Sequence, residues 1–273
     1  MAKLEVGVLV RLTERPGEEL TKVADLGLRS CQVSSWEPSA WTDKAAEALR
    51  AAADETGVAV STFWAGYSGP KVWNFIEGPR TIGLVPEQYR RQRVEELRAA
   101  AGFAARCGAP SITTHVGFIP EDPGDPAFEQ TVAAVAEVAG RCAELGLEFW
   151  FETGQETPVT LLRAIRRAGG DNLGVNLDTA NLILYGKANP VDALDVLGDY
   201  VRDVHAKDGL YPTDPDSLGR ETPLGDGKVD FPAFIAKLKR LGYTGPLTIE
   251  REISGERQMA DIRRAIELLR PLA

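Results

Sequence analysis

The feature that most constrains the fold is an alternation of short apolar stretches with longer helical patterns, which recurs eight times along the 273 residues. The short stretches have the aromatic and β-branched content of buried strands. Gly57, Gly108 and Gly146 stand where helical patterns end. Strands that alternate with helices run parallel in one sheet. Eight such units in roughly 250 residues predict a (β/α)8 TIM barrel of the α/β class. We expect a single domain over residues 1–273.

The predicted strands are Leu4–Val10, Leu28–Ser34, Val58–Trp64, Ser111–Val116, Leu147–Thr153, Leu173–Asp178, Val201–Lys207 and Leu247–Arg251. The predicted helices are Gly17–Leu26, Thr42–Thr56, Glu87–Cys107, Pro126–Leu145, Pro158–Ala168, Pro190–Leu197, Phe231–Leu241 and Glu256–Leu269. A doubly wound open sheet is the alternative, but its first turn is normally glycine-rich, and VRLTERPG is not. Two long connections, 65–86 and 208–230, leave the carboxyl ends of strands, and we expect both to be ordered lids.

Charge and residue counts exclude several kinds of protein. The net charge of -9 disfavours a protein that grips the nucleic-acid backbone. Only two histidines are present, which rules out a histidine-rich metal cluster. The three cysteines are odd in number and widely spaced, so we expect no disulfide framework and a reducing, cytoplasmic compartment. The sequence has no apolar run of membrane-spanning length and no signal-peptide pattern at its N-terminus.

The late strands carry polar residues on one face and apolar residues on the other. LEFWFETGQ shows this clearly, since Phe149 and Phe151 alternate with Glu152 at the strand end. In a barrel the apolar face packs against helices, so the polar face points into the barrel mouth. The inward residues that end four consecutive strands are Glu152, Asp178, His205 and Glu250.

Three carboxylates cannot lie together unchanged, because like charges force protons onto some of them. A divalent cation would resolve this conflict. Oxygen ligands with one imidazole suit Mn²⁺, Mg²⁺ or Co²⁺ better than a structural zinc site. The pattern therefore predicts one divalent metal ion held by Glu152, Asp178, His205 and Glu250.

Five segments also resemble a known superfamily: FETGQE, NLDTAN, VHAKD, PLGDGKVDF and LTIERE. They are similar to segments of the xylose-isomerase-like TIM barrels, which include ketose 3-epimerases, hydroxypyruvate isomerase and inosose dehydratase. The resemblance implies that the same four residues bind one metal ion. Mn²⁺ is the expected ion, with Mg²⁺, Co²⁺ and Zn²⁺ as other candidates. It also implies that Glu152 and Glu250 act as catalytic acid and base.

The sequence departs from the epimerase pattern at two positions. Asn181 stands where the epimerases carry a histidine, three residues after the aspartate. Pro158 stands where they carry a substrate-contacting glutamate, and Gln155 or Glu156 is the nearest replacement. We therefore expect substrate recognition to differ from that of the epimerases.

Other residues are predicted at the barrel mouth. Trp36 and Trp64 end strands and could stack on a sugar ring, and Lys207 could stabilise an enediolate oxygen. His115 could contact substrate or a carboxylate, and Arg220 could reach substrate from a lid. Each has a structural alternative, as a core or surface residue. The remaining tryptophans are expected to be packing residues: Trp41, Trp73 and Trp150.

The predicted function is a metal-dependent sugar isomerase or epimerase that acts on a ketose or keto-sugar through proton abstraction and an enediolate. The alternative is a lyase or hydrolase of the same superfamily, which dehydrates a keto-inositol or cleaves a 3-keto-glycoside. An endonuclease and a non-catalytic sugar-binding barrel are remote alternatives. The expected partner is a small sugar, favoured as unphosphorylated, with no nucleic acid or membrane. A homo-oligomer stays open, with Tyr67–Phe75 as a candidate contact.

Overall fold

Eight parallel strands close into a barrel in the computed structural model, which describes residues 3–273. The first two residues of the predicted domain lie outside the described residues. Two further strands form an antiparallel hairpin beyond the barrel. The strands are β1 (Val6–Arg11), β2 (Ser30–Ser35), β3 (Ala59–Ala65), β4 (Ser111–Thr114), β5 (Glu148–Glu152), β6 (Leu173–Asp178), β7 (Val201–Ala206), β8 (Asp208–Leu210), β9 (Arg220–Thr222) and β10 (Leu247–Ile249). The predicted (β/α)8 barrel is confirmed, and β8 and β9 are the hairpin.

The helices surround the barrel. They are α1 (Pro16–Asp25), α2 (Asp43–Thr56), α3 (Gly78–Thr81), α4 (Glu87–Cys107), α5 (Pro126–Glu144), α6 (Pro158–Ala168), α7 (Thr179–Leu184), α8 (Pro190–Leu197), α9 (Phe231–Arg240) and α10 (Glu256–Leu269). Side chains cap several N-termini; Thr157, for example, accepts from the Thr160 amide in front of α6. None of the helices within residues 3–273 is long and apolar enough to cross a membrane.

Several element boundaries differ from the predicted ones. Strands β4, β7 and β10 end before the residues that sequence pattern assigned to them, so His115, Lys207 and Glu250 lie just beyond strand ends. Helices α3 and α7 were not predicted. Both are short segments of four and six residues, for which a helical period is hard to recognise in sequence.

The barrel interior is polar, and the apolar core lies between the strands and the helices. Phe149 and Phe151 belong to this outer core. Inside the barrel, the buried Asp203 accepts hydrogen bonds from Ser61 Oγ at 2.7 Å and Thr248 Oγ1 at 2.9 Å. A polar interior is stable only when its groups are paired, and this network continues upward to the barrel mouth.

The two long connections are ordered by one buried residue each. Arg93 of α4 donates to the carbonyl oxygens of Gly83 at 2.7 Å and Pro70 at 2.9 Å, which holds the segment 66–86 against the barrel. Asp208 accepts from the amides of Gly225 and Gly227, each at 2.9 Å, and so closes the segment 208–230. Both segments are therefore ordered, as predicted, and their role as lids stays a prediction.

Candidate active site and metal centre

The barrel closure brings four strand ends to one point. In the strand register Asp178 pairs with His205, and Thr248 pairs with His205 from the other side, which places Glu250 close to the imidazole. Glu152 ends the neighbouring strand β5. Ligand atoms of all four predicted residues, Glu152, Asp178, His205 and Glu250, lie within 4.8 Å of one another.

The imidazole of His205 turns its Nδ1 atom toward the three carboxylates. Nδ1 lies 3.1 Å from Glu250 Oε2, 3.3 Å from Glu152 Oε1 and 3.6 Å from Asp178 Oδ2. All four side chains are buried or nearly so. One nitrogen and three carboxylates therefore converge in a largely buried place.

Asp178 has a double role at the end of β6. Its Oδ1 atom accepts from the Asn181 amide at 2.7 Å and so caps α7. Its Oδ2 atom and Glu250 Oε2 are buried and have no partner in hydrogen-bonding geometry within the described part of the chain. Buried oxygen atoms without partners are costly, and both belong to the converging set.

The electrostatic environment differs among these groups. Burial raises the pKa of Asp178 to about 7. Burial also raises the pKa of Glu250, but Lys207 and His205 outweigh this and hold it well below its ordinary value. The opposite balance applies to His205, where burial lowers the pKa but Glu250 and Glu152 hold it well above the ordinary value. Without a metal, protons and Lys207 compensate the carboxylates.

The donor set fits a divalent cation. Three carboxylates and one imidazole are hard or borderline ligands of the kind that Mg²⁺, Mn²⁺ and Co²⁺ accept. A cation among them would bind Asp178 Oδ2 and Glu250 Oε2, which contact His205 and Lys207 but accept no well-formed hydrogen bond among the described residues. These four residues could thus hold a metal ion.

Glu152 is held in one orientation by its neighbours. Asn181 Nδ2 donates to Glu152 Oε1 at 3.1 Å, and Trp64 Nε1 donates to Oε2. His115 Nε2 lies 3.5 Å from Oε1. Burial raises the pKa of Glu152, but His115 and His205 outweigh it and leave the pKa below its ordinary value. Three residues predicted to contact substrate, Trp64, His115 and Asn181, therefore contact a glutamate.

Lys207 is fully buried beside the converging set. Its Nζ atom lies 3.2 Å from Glu250 Oε2, 3.1 Å from Glu252 Oε1 and 3.7 Å from Asp178 Oδ2. Burial lowers the pKa of Lys207, but these carboxylates more than reverse the effect. Lys207 is therefore a charged group inside the site, and the alternative of a surface lysine is wrong.

A cavity of about 690 Å³ opens above the four residues. Three tryptophans form one wall, with the Trp36 ring 4.8 Å from Trp64 and 6.0 Å from Trp73. Gly66 makes this wall possible, since a Cβ atom there would lie 2.3 Å from the Trp36 ring. The wall thus presents aromatic surface beside the glutamates, which suits a sugar ring.

The other residues predicted to contact substrate differ in burial and in their distance from the site. Gln155 is buried and its Nε2 atom lies 3.4 Å from His115 Nδ1. Glu156 is also buried, and burial raises its pKa to about 8. Arg220 is exposed on the hairpin strand β9 and is not among the described residues that line the cavity. None of these three residues lines the cavity among the described residues, and Gln155 reaches it only through His115.

Several residues at the site were not predicted. Trp73 was expected to be a packing residue, but it is 40% exposed, lines the cavity and lies 5.3 Å from the His115 ring. Tyr185 lines the cavity as well, and its buried hydroxyl has no hydrogen-bond partner among residues 3–273. Both belong to irregular or short segments, where periodicity carries no signal.

Tyr67 is fully buried under Arg93, so it is not available for the dimer contact considered above.

A profile of the xylose isomerase-like TIM barrels matches residues 20–272. The chain belongs to the xylose isomerase-like TIM barrel family. A xylose isomerase domain protein from Planctomyces limnophilus is 36% identical and superposes with a TM-score of 0.92, over 99% of this chain and 98% of that one. The resemblance read from the five sequence segments is confirmed.

Two sugar epimerases are similar to this member of the xylose isomerase-like TIM barrels. The ketose 3-epimerase of Arthrobacter globiformis is 30% identical over 125 residues, 43% of this chain and 39% of that protein. A D-psicose 3-epimerase crystallised in the presence of D-fructose shares the fold at 17% identity, with a TM-score of 0.73 over 98% of this chain and 99% of the other. The chain spans about half the length of the curated relatives it matches, between 39% and 59%.

Proposed function

We propose that this protein is a divalent-metal-dependent epimerase or isomerase of an unphosphorylated ketose or keto-sugar. The observation that carries the proposal is the pair of carboxylates, Glu152 and Glu250, which line the cavity and both contact His205 Nδ1. The similarity to a ketose 3-epimerase supports the substrate class.

The chain's own residues supply the proton transfers. When bound, a divalent cation would polarise a substrate carbonyl and stabilise the charge of an enediolate; Mn²⁺ is the ion we propose. Glu152 and Glu250 remove and return a proton, since both are carboxylates that line the cavity. Return to the opposite face of the same carbon gives an epimer, and return to the adjacent carbon gives an isomer. Lys207 adds a positive charge to the site, where an enediolate oxygen develops negative charge.

The buried cations beside the cavity are already paired with carboxylates, which favours a neutral substrate. Lys207 is already surrounded by carboxylates, and Arg251 pairs with Glu221 at 2.6 Å and Asp261 at 2.8 Å. The loop GDGK, a candidate phosphate site, has its Gly225 and Gly227 amides bound to Asp208. A phosphate would therefore meet no free buried cation or amide among the groups described there.

The test is turnover of a panel of free ketoses and inososes in deuterated water with Mn²⁺ added, followed by NMR at each carbon. We expect deuterium exchange with at least one unphosphorylated sugar. Glu152→Gln and Glu250→Gln should each lower the exchange rate at least about 100-fold, the usual effect of losing a general acid or base. Metal content is measured in each variant, because both residues are also proposed ligands.

Glu148→Gln is the matched control, since Glu148 begins the same strand β5 and pairs with Arg202 away from the cavity. It should retain wild-type exchange. Wild-type rates in both site variants would disprove the acid and base roles. Release of a leaving group without exchange into an epimer would identify the lyase or hydrolase instead, and exchange only with sugar phosphates would contradict the proposed substrate class.

A further inference from the structure

The proposed metal centre requires one particular protonation state of His205. Its Nδ1 atom faces Glu250, Glu152 and Asp178, so a metal ion there must bind Nδ1. A neutral imidazole carries its proton on only one nitrogen. Metal binding at Nδ1 is therefore possible only while the proton of the neutral ring stays on Nε2.

Gln32 is the residue that accepts a hydrogen bond from this Nε2–H group. His205 Nε2 lies 2.8 Å from Gln32 Oε1, across the barrel interior from β2 to β7. Both side chains are fully buried, so water does not compete for the contact. An amide oxygen is only an acceptor, so the contact stabilises the ring with the proton on Nε2.

The orientation of the Gln32 amide is itself determined by the barrel interior. Its Nε2 atom donates to Asn176 Oδ1 at 3.2 Å, which leaves Oε1 pointing at the imidazole. Asn176 lies on β6, two residues before Asp178. The amide is thus anchored on one metal-binding strand and orients the histidine of the next.

We propose that Gln32 is the positioning residue of the metal centre, which keeps the His205 proton on Nε2 and so presents Nδ1 to the metal ion. The inference rests on the metal centre of the proposed function. Outer hydrogen-bond partners of metal-binding histidines typically change metal affinity 10- to 100-fold. Gln32 does not line the cavity, and it contributes through His205 and not through substrate.

The test compares Gln32→Met, which keeps the length of the side chain but removes the acceptor, with Gln32→Glu, which keeps an acceptor. Gln32→Leu replaces the methionine variant if that chain does not fold. Mn²⁺ affinity is measured by titration against a chelating indicator. We expect a loss of about 10- to 100-fold in Gln32→Met, and an affinity within about threefold of wild type, or tighter, in Gln32→Glu.

Thr62→Val is the matched control. Thr62 pairs with Gln32 in the strand register and is equally buried, but its hydroxyl bonds to Ser111 and Thr113. Its loss should lower the stability of the barrel and leave Mn²⁺ affinity within about threefold. This separates a general loss of interior hydrogen bonds from a specific effect on His205.

A second readout observes the proton itself. The chain has only two histidines, so ¹⁵N spectra of the imidazole rings contain two ring systems. In the Mg²⁺-loaded protein we expect the His205 Nε2–H proton to exchange slowly and to show a hydrogen-bonded chemical shift, because it donates to Gln32 Oε1. In Gln32→Met the same proton should exchange faster and lose that shift.

The outcomes separate this inference from the proposed function. Wild-type affinity in Gln32→Met overturns the inference and leaves the metal-dependent activity intact. An equal loss in Gln32→Met and Gln32→Glu also overturns it, because packing and not the acceptor would then matter. Absence of Mn²⁺ binding by the wild-type protein would overturn the metal centre and the inference together.

Discussion

Glu156 differs from the other carboxylates at the site, because it is buried without belonging to the converging set. Burial raises its pKa to about 8, and its neighbours Glu121 and Glu152 add to the effect, so its side chain is mostly neutral at pH 7. It stands next to Gln155, in the segment that departs from the epimerase pattern. A neutral carboxyl group can donate as well as accept a hydrogen bond.

The protonation of Glu156 predicts a pH dependence of stability. A glutamate in an unfolded chain has a pKa of about 4.3. Because the folded value is higher, the folded state binds the proton more tightly, and this stabilisation is lost as the pH rises toward 8. As the pH rises from about 6 to about 9, the free energy of unfolding of the wild type should fall by about 2 to 3 kcal/mol because Glu156 ionises. Glu156→Gln stays neutral and should not show this loss.

Urea unfolding at the two pH values, followed by circular dichroism, measures this difference. Glu144→Gln changes an exposed glutamate on the outer helix layer and should retain the wild-type pH dependence. A constant difference between Glu156→Gln and wild type across this range would contradict a buried neutral carboxyl.

At the scale of elements, α4 supports the aromatic wall through a single side chain. Arg93 is fully buried, donates to three carbonyl oxygens of the segment 66–86, and stacks on Tyr67 at 4.3 Å and Tyr89 at 4.7 Å. Tyr67 in turn accepts from the Gly83 amide at 2.8 Å. The position of Trp73 in the wall therefore depends on a helix on the outside of the barrel.

Arg93→Met should release this segment. The three carbonyl oxygens would lose a charged donor, and we expect a loss of about 2 to 3 kcal/mol in the free energy of unfolding. Limited proteolysis should find new cleavage sites within 66–86, and KM for the sugar should rise more than kcat falls.

Arg98→Met is the control on the same helix. Arg98 is 37% exposed and pairs with Glu95 and Glu137 at the surface, where an ion pair contributes about 1 kcal/mol or less. Equal protease resistance in Arg93→Met and Arg98→Met would show that the segment is held by other contacts.

At the scale of the whole molecule, the proposed metal centre joins strands from β5 to β10, half of the barrel circumference. A ligand that binds only the folded state stabilises it by RT ln(1 + [L]/Kd). At one hundred times Kd, Mn²⁺ should therefore add about 2.7 kcal/mol. For a chain of this size we expect Tm to rise by roughly 5 °C, and EDTA should reverse the shift.

Thermal unfolding with Mn²⁺ and with EDTA measures the effect, and Asp178→Asn provides the comparison. This variant keeps an oxygen that can cap α7 but removes a ligand charge, so most of the metal-dependent rise in Tm should disappear. A Tm that is independent of Mn²⁺ in the wild-type protein would contradict the proposed centre.

The fold and the converging residues could be predicted because they depend on local patterns. The hydrophobic periods of strands and helices can be recognised within short segments of sequence. The alternation of residues along β5, β6 and β7 decides which side chains point inward. Once the strands are parallel and closed, Glu152, Asp178 and His205 must meet at the same rim. That much follows from the sequence alone.

Tertiary structure alone decided which residues surround this centre. The contact between Gln32 and His205 joins residues 173 positions apart, and no local pattern distinguishes Gln32 from another buried polar residue. Trp73 reaches the cavity from a loop whose path is determined by Arg93, and Tyr185 reaches it from the residue after the short helix α7. The sequence by itself determined the barrel and the convergence of Glu152, Asp178 and His205, because these obey the strand period, with Glu250 directly after the last strand. The orientation of each ligand and the shape of the cavity arise only when the barrel closes, because distant side chains then become neighbours.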